Sequence, residues 1–308
     1  MNNKPKVIIL TAGQGKRLLP LTTNNPKCLV KLFGKSLLEW QMDIYENFKI
    51  NDISVVKGYF QEKINISNVN YFINSKYAET NMVETLFCAR EKMFDSIIVS
   101  YGDIIFEKEV FEKLYCETED ISLIIDKNWL EYWKIRFDNP LDDVESMKIN
   151  SEGYITNIGQ KVKNLEDIQG QYIGLMKFQN DGLKFLTSFY DKSKSIAKNG
   201  KNPLNSNLSF EKSYMTDLLQ GMIDEGYKIK AIPINSGWLE LDSYDDFLKY
   251  DLMSKEKTMS KFFNIYKIKT MKKVDGIDTT VTSSIDVRIT KSGALFRATK
   301  IDELPQLW

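Results

Sequence analysis

What most constrains this chain is a rhythm: short apolar runs of strand length alternate with longer segments of helical period. KVIILTA (6–12) is a continuous β-branched run of the kind buried on both faces of a sheet. ISVVKGY (53–59), ended by Gly58, then SIIVSYGD (96–103) and ISLIID (121–126) repeat the pattern. Between the first two runs, Ser36 followed by Glu39 has the form of a capping box, and Leu37, Leu38, Gln41, Ile44, Tyr45 and Phe48 fall at helical spacing. Asn81 and Glu84 predict the start of another helix, with Val83, Leu86, Phe87, Arg90 and Met93 in period. Strands alternating with helices predict βαβ units, hence an α/β fold with a mixed, mostly parallel sheet flanked by helices.

The later chain is read more coarsely. SMKIN, GYITNIG and GQYIGLMKF, between about 145 and 180, read as short strands and turns. A helix-rich stretch from Gly182 to Gly226 is interrupted by the polar loop NGKNPLNSNLS. KIKAIPI (228–234) and WLELD (238–242) return to strand pattern, and Ser243 is placed to cap a last helix through Asp246. After about Leu252 the chain turns lysine-rich and then Thr/Ser-rich, so a core at 1–252 and an extension of unassigned role at 253–308 are expected.

Composition acts mainly by exclusion. Among 308 residues there is no histidine, which removes serine and cysteine triads, His-ligated zinc and imidazole acid–base chemistry. Lysine and arginine total 42, as do aspartate and glutamate, so no global field favours nucleic acid or a membrane surface. Cys28, Cys88 and Cys116 have neither CxxC nor zinc spacing and read as free thiols of a reducing compartment. No apolar run reaches membrane-span length, and a cytoplasmic location is expected.

The first apolar run leads into TAGQGKRLLPLTTNNPKCL (11–29). It lacks the GxxxxGK[ST] of a P-loop, and Leu18 stands where a dinucleotide fingerprint needs its third glycine. What remains is a turn with Gly13 and Gly15, which would let backbone amides approach an anion, beside the cations Lys16 and Arg17. An ordinary tight turn with solvated cations is the plain alternative. The longer string L-T-A-G-x-G-K-R-L-x-P-L-T, then P-K-C-L, then GKSLLEWQ, resembles the nucleotidyltransferases that activate phosphorylated small molecules. These are the sugar-1-phosphate nucleotidylyltransferases and the phosphocholine cytidylyltransferases. Gly13, Gly15, Arg17, Pro20, Thr22, Pro26 and Lys27 occupy their signature, whereas Thr11 and Lys16 depart from it without removing a required group.

That resemblance implies a Rossmann-like, GT-A-like nucleotidyltransferase fold and a specific set of site residues. Leu10, Ala12, Gly13, Gln14, Gly15 and Lys16, with Gly58, Tyr59 and Gly102, would hold the nucleotide. Lys27 and Arg17 would be the catalytic cations. Asp103 and Asp242, each at a strand end, would bind Mg²⁺, which takes few protein ligands; Glu240 is the substitute for Asp242. A helix cap is the plain alternative for either aspartate. NSKYAETNMVETLF and IIDKNWLEYWKIRFDNPLDD resemble cytidylyltransferases of phosphocholine and of phosphonate or phosphoramidate pathways. Asn81, Lys127, Trp129, Lys161 and Glu240 are therefore placed on the acceptor side, with Tyr132, Trp133 and Arg136 nearby. Core packing is the other reading of the aromatics, and Asp142, Asp143 and Glu145 read as a solvated acidic loop. The expected substrates are CTP and a small phosphorylated or phosphonate acceptor, with no nucleic acid or membrane, and a homo-oligomer is left open. A sugar-1-phosphate enzyme using UTP or dTTP and a non-catalytic nucleotide-sensing relative are the competing readings.

Overall fold

The computed structural model describes residues 4–265. β1 (Lys6–Leu10) is buried along its whole length, as its unbroken apolar run predicts. A short hairpin of β2 (Lys31–Leu32) and β3 (Lys35–Ser36) leads into α1 (Leu37–Asn47). The capping box is formed: Glu39 N donates to Ser36 Oγ at 3.2 Å and Ser36 N donates to Glu39 Oε2 at 2.7 Å. Such a cap stabilises a helix start by about 1 kcal/mol. β4 (Ile53–Lys57) and β5 (Asn70–Ile73) precede α2 (Met82–Phe87). Asn81 caps α2 as expected, but the helix stops at Phe87, short of the period that reaches Met93. There Cys88 N bonds Thr85 O as well as Glu84 O, and Ala89 N bonds Leu86 O, so the chain tightens into 3₁₀-type turns.

The chain continues through β6 (Ser96–Tyr101), β7 (Ile104–Phe106), α3 (Lys108–Cys116) and β8 (Ile121–Asp126). Next come α4 (Trp129–Arg136), β9 (Glu145–Ile149), β10 (Ile155–Lys161) and β11 (Gln171–Gln179). α5 (Asn180–Lys198), α6 (Met215–Asp224), β12 (Lys230–Ile234), β13 (Trp238–Glu240) and α7 (Tyr244–Lys255) complete the order.

A seven-stranded sheet runs β12-β8-β11-β6-β1-β4-β5. Every neighbouring pair is parallel except the two made by β11, which runs antiparallel to both β6 and β8. Helices α2, α5 and α6 cover one face, where Val83, Leu86, Leu186, Leu218 and Met222 pack on Ile8, Val99 and Met176. Each fully buried side chain of this kind contributes about 1.5–3 kcal/mol. The first compact unit runs to Phe263. Its tail is anchored by Phe263, which stacks on Phe33 and meets the edge of Trp40. The rest of the extension expected at 253–308, from 266 onward, lies outside the described residues. Among the described residues no helix is long and apolar enough to cross a membrane.

Candidate active site

β4, β1 and β6 lie side by side and parallel, with Leu10 opposite both Val56 and Tyr101. The chain therefore leaves all three strands at one edge, where open α/β sheets hold ligands. Thr11–Lys27, Gly58–Tyr59 and Gly102–Asp103 meet there. The backbone is so close-set that a Cβ on Gly102 would lie 2.7 Å from Leu10 O. Gly15 has φ +60°, which L side chains seldom adopt, and caps a 3₁₀ turn over Lys16–Leu18. The loop is tied back by Thr22 Oγ1 donating to Gly15 O at 2.8 Å and by Tyr59 N donating to Ala12 O at 3.1 Å. Leu18 is buried as its anchor, leaving Lys16 and Arg17 exposed.

Antiparallel pairing of β7 with β13 sets Ile104 opposite Glu240, and Leu241 N donates to Asp103 O at 3.0 Å. Residues far apart in sequence are thereby placed together. Asp103, Glu240 and Asp242 bring ligand oxygens within 4.8 Å of one another. Lys27 Nζ donates to Asp103 Oδ2 at 2.7 Å and to Asp242 Oδ1 at 2.8 Å, and Arg17 pairs with Asp242 Oδ2 at 2.6 Å. Burial alone would lower the Lys27 pKa, but the charges of Asp103, Asp242 and Glu240 outweigh it and hold the ammonium above its ordinary value. Burial also raises Asp242, yet Lys27 and Arg17 keep its carboxyl below the usual range. Glu240 goes the other way, because burial exceeds the pull of Arg136 and the neighbouring carboxylates add to it. Asp103 Oδ1 is buried with no hydrogen-bond partner among the described residues. An orphan carboxylate oxygen in an all-oxygen set suits a hard divalent cation.

Beneath this cluster lies a brace. Arg136, with a side chain 1% exposed, donates to Glu240 Oε2 at 2.7 Å and to Asp246 Oδ1 and Oδ2 at 3.1 and 3.3 Å. Asp246 in turn accepts from Asp242 N and Ser243 N, so the cap of α7 and the carboxylate cluster share one residue. From the other side, Gln41 Nε2 bonds Tyr101 O and Ile104 O around the Asp103 turn.

Several sequence expectations change here. Glu240, expected either as a substitute for Asp242 or on the acceptor side, sits with Asp103 and Asp242 together, beside Asp242 instead of in its place. Trp129, Tyr132 and Trp133 are buried, packed against each other and, through Tyr132 and Trp133, against Trp238, and do not offer open faces to a ligand. Arg136 is engaged internally and is not available to an acceptor carboxylate. Lys127 and Lys161 are exposed and do not line the cleft. Asp142 and Asp143 are exposed as expected, but Glu145 opens β9 half-buried. Burial, with the charges of Asp217 and Asp143, pushes its carboxyl up to about 7.

A cavity of about 170 Å³ adjoins Lys27 and Asp103, lined on the loop side by Ala12 and Gly13 and beyond it by Tyr77, Thr80, Asn81 and Thr85. Asn81 thus belongs to the cavity next to the glycine loop. Tyr77 and Thr80, from the stretch NSKYAETN that carries the cytidylyltransferase resemblance, line the cavity with Asn81. Their shape depends on buried Asn74, whose Nδ2 donates to Thr80 Oγ1 and Thr85 Oγ1 at 2.8 and 3.0 Å. Cys28, beside Lys27, is buried, and burial pushes its thiol up to about 12, which disfavours the thiolate.

Residues 7–128 match the MobA-like NTP transferase domain, and residues 251–308 match the bacterial sugar transferase family. The CTP:phosphoglutamine cytidylyltransferase of Campylobacter jejuni is 38% identical over 78% of this chain and 96% of its own length. The choline-phosphate cytidylyltransferase of Streptococcus pneumoniae is 35% identical over 33% of this chain and 46% of its own. In fold, the CTP:phosphocholine cytidylyltransferase structure from S. pneumoniae superposes with a TM-score of 0.61 at 22% identity, covering 82% of this chain and all (100%) of that one. The inositol-1-phosphate CTP transferase of T. maritima gives 0.60 at 21%, covering 82% and 96%. Glycine loop, lysine, carboxylate cluster and a likeness over most of the chain agree, and the chain belongs to the nucleotidyltransferase family that includes the sugar-1-phosphate nucleotidylyltransferases and the phosphocholine-type cytidylyltransferases.

Proposed function

We propose that the protein transfers CMP from CTP to a small phosphorylated acceptor that also carries a cationic nitrogen, releasing pyrophosphate. The observation that carries this reading is Lys27, held between Asp103 and Asp242 at the mouth of the cavity, in a chain 38% identical to a CTP:phosphoglutamine cytidylyltransferase. An acceptor phosphate oxygen attacks the α-phosphorus of CTP. A new P–O bond forms, the bond to the bridging oxygen of the β-phosphate breaks, and pyrophosphate leaves with that electron pair. The attacking phosphate is already ionised near neutral pH, so no general base is needed and the absence of histidine is no obstacle.

The chain's own work is positioning and charge neutralisation. The backbone amides of 13–16 and the exposed Arg17 receive the β- and γ-phosphates, for which Arg17 must leave Asp242. Lys27 neutralises the α-phosphate and the incoming oxyanion. Tyr77, Thr80 and Asn81 border the nucleoside. Asp103, Glu240 and Asp242 would hold Mg²⁺, which when bound neutralises charge on the phosphates. The match of residues 251–308 to bacterial sugar transferases supports placing this activation in surface-glycan assembly.

The test is a matrix of CTP, UTP, dTTP and ATP against phosphoglutamine, phosphocholine, aminoethylphosphonate and glucose-1-phosphate, read as pyrophosphate release with Mg²⁺. Turnover with CTP and one of the nitrogen-bearing acceptors is expected. Turnover confined to glucose-1-phosphate would overturn the reading in favour of a sugar-1-phosphate enzyme.

A further inference from the structure

Gln41 is a buried amide in a position that the pattern of α1 reserves for an apolar residue. It shares the inward face with Leu37, Leu38 and Tyr45 and is 0% exposed. A leucine there would match the helix better, so the amide needs a reason. Its hydrogen bonds supply one. Nε2 donates to Tyr101 O at 2.7 Å and to Ile104 O at 2.8 Å, while Oε1 accepts from Ser100 Oγ at 2.9 Å and Tyr45 OH at 3.0 Å. Both N–H donors and both oxygen lone pairs are used, which is the full capacity of the side chain.

The two carbonyls it holds flank Gly102–Asp103. These two residues carry the chain from β6, where Tyr101 pairs with Leu10, into β7, where Ile104 pairs with Glu240, and present a carboxylate at the strand edge. The rest of the turn is fixed by backbone: Gly102 N bonds Leu10 O at 2.9 Å and Leu241 N bonds Asp103 O at 3.0 Å. Gln41 supplies side-chain bonds on both flanks of this turn, tying it to α1. Because Ile104 also pairs with Glu240 across β7 and β13, the same amide sets Asp103 relative to the other two carboxylates.

We propose that Gln41 is a positioning residue for nucleotidyl transfer: it fixes the Tyr101–Ile104 turn, and cation affinity at Asp103, Glu240 and Asp242 depends on it although it never touches the cation. This rests on the reading of those carboxylates as a divalent-cation site. Groups that orient ligands from behind commonly change metal affinity or activity by about 10–100-fold when removed.

The experiment measures Mn²⁺ binding by EPR, with CTP present, in wild type, Gln41→Leu, Gln41→Glu and Tyr45→Phe, alongside thermal unfolding and the Mg²⁺ dependence of turnover. Gln41→Glu keeps the shape and the acceptor oxygen while removing the amide donors, so it serves if Gln41→Leu does not fold. Tyr45→Phe removes a bond to the same amide without touching the turn, and separates loss of packing from loss of positioning. The proposal expects about tenfold or greater weakening of Mn²⁺ binding in the folded Gln41 variants and near wild-type binding in Tyr45→Phe. Unchanged Mn²⁺ affinity in folded Gln41→Glu, or equal weakening in Tyr45→Phe, would overturn it. No Mn²⁺ binding by the wild type would instead overturn the cation-site reading.

Discussion

From Gly13 to Lys27 the cleft is bordered by one continuous stretch of chain, with Lys16 and Arg17 out in solvent. At Asp103, Glu240 and Asp242 it is bordered by residues that meet only because β7 pairs with β13. The loop is held by a few hydrogen bonds to its own backbone and to Tyr59, whereas the carboxylates are tied from beneath by Arg136, Asp246 and Gln41. The contrast separates two kinds of cost. Changing the exposed loop should alter substrate handling and leave the fold alone, while changing the braced side should disturb stability, chemistry or both. Lys27 belongs to the loop in sequence and to the carboxylates in space.

The largest effect is expected at that junction. Lys27→Met should lower kcat by about 10²–10³-fold, the usual consequence of deleting one group that stabilises developing charge. Steady-state pyrophosphate release measures it, and a loss below tenfold would remove Lys27 from the chemistry. Arg136→Met tests the braced side. Two carboxylates would be left facing a buried gap, at a cost of about 3–5 kcal/mol in urea unfolding. A loss under about 1 kcal/mol would mean that the brace is not structural.

Glu145 sharpens the comparison through pH. The folded protein keeps its proton up to about 7, whereas an unfolded chain releases it near the ordinary 4.5. Ionising it therefore opposes folding, with a penalty that grows between those two values and is constant above them. Glu145→Gln should stabilise the protein by about 1–3 kcal/mol at pH 8 and by almost nothing at pH 4. A pH-independent difference would contradict this. Arg17→Ala is the smallest change. With its side chain 68% exposed, its loss should move stability by less than about 0.5 kcal/mol while raising the KM for CTP by roughly tenfold. A large loss of stability would mean that the loop is as braced as the carboxylates.

The same contrast explains what could be read from sequence. The strand–turn–cation string and the capping boxes at Ser36 and Ser243 are local, and the structure forms them where their spacing predicts. Asp103 and Asp242 were placed from strand-end position and resemblance, and they meet as expected. Glu240 joins Asp242 instead of replacing it, and Arg136 and Trp129 face the interior, because their surroundings are set by pairing between distant elements, which leaves no local pattern. An arginine in an aromatic-rich helix looks the same in sequence whether it faces a ligand or a buried Asp246. Gln41 fitted the helical period and was passed over as one more inward position, since periodicity says that a side chain is buried and not what its amide holds.

The central claim is most directly tested by ³¹P NMR of the protein incubated with CTP, Mg²⁺ and either phosphoglutamine or phosphocholine. The account predicts that pyrophosphate and a new CMP-linked product appear in equal amounts with at least one of these acceptors, and that Asp103→Asn suppresses both. Pyrophosphate formed without a linked product, or no reaction with any nitrogen-bearing acceptor while a sugar-1-phosphate is converted, would contradict it.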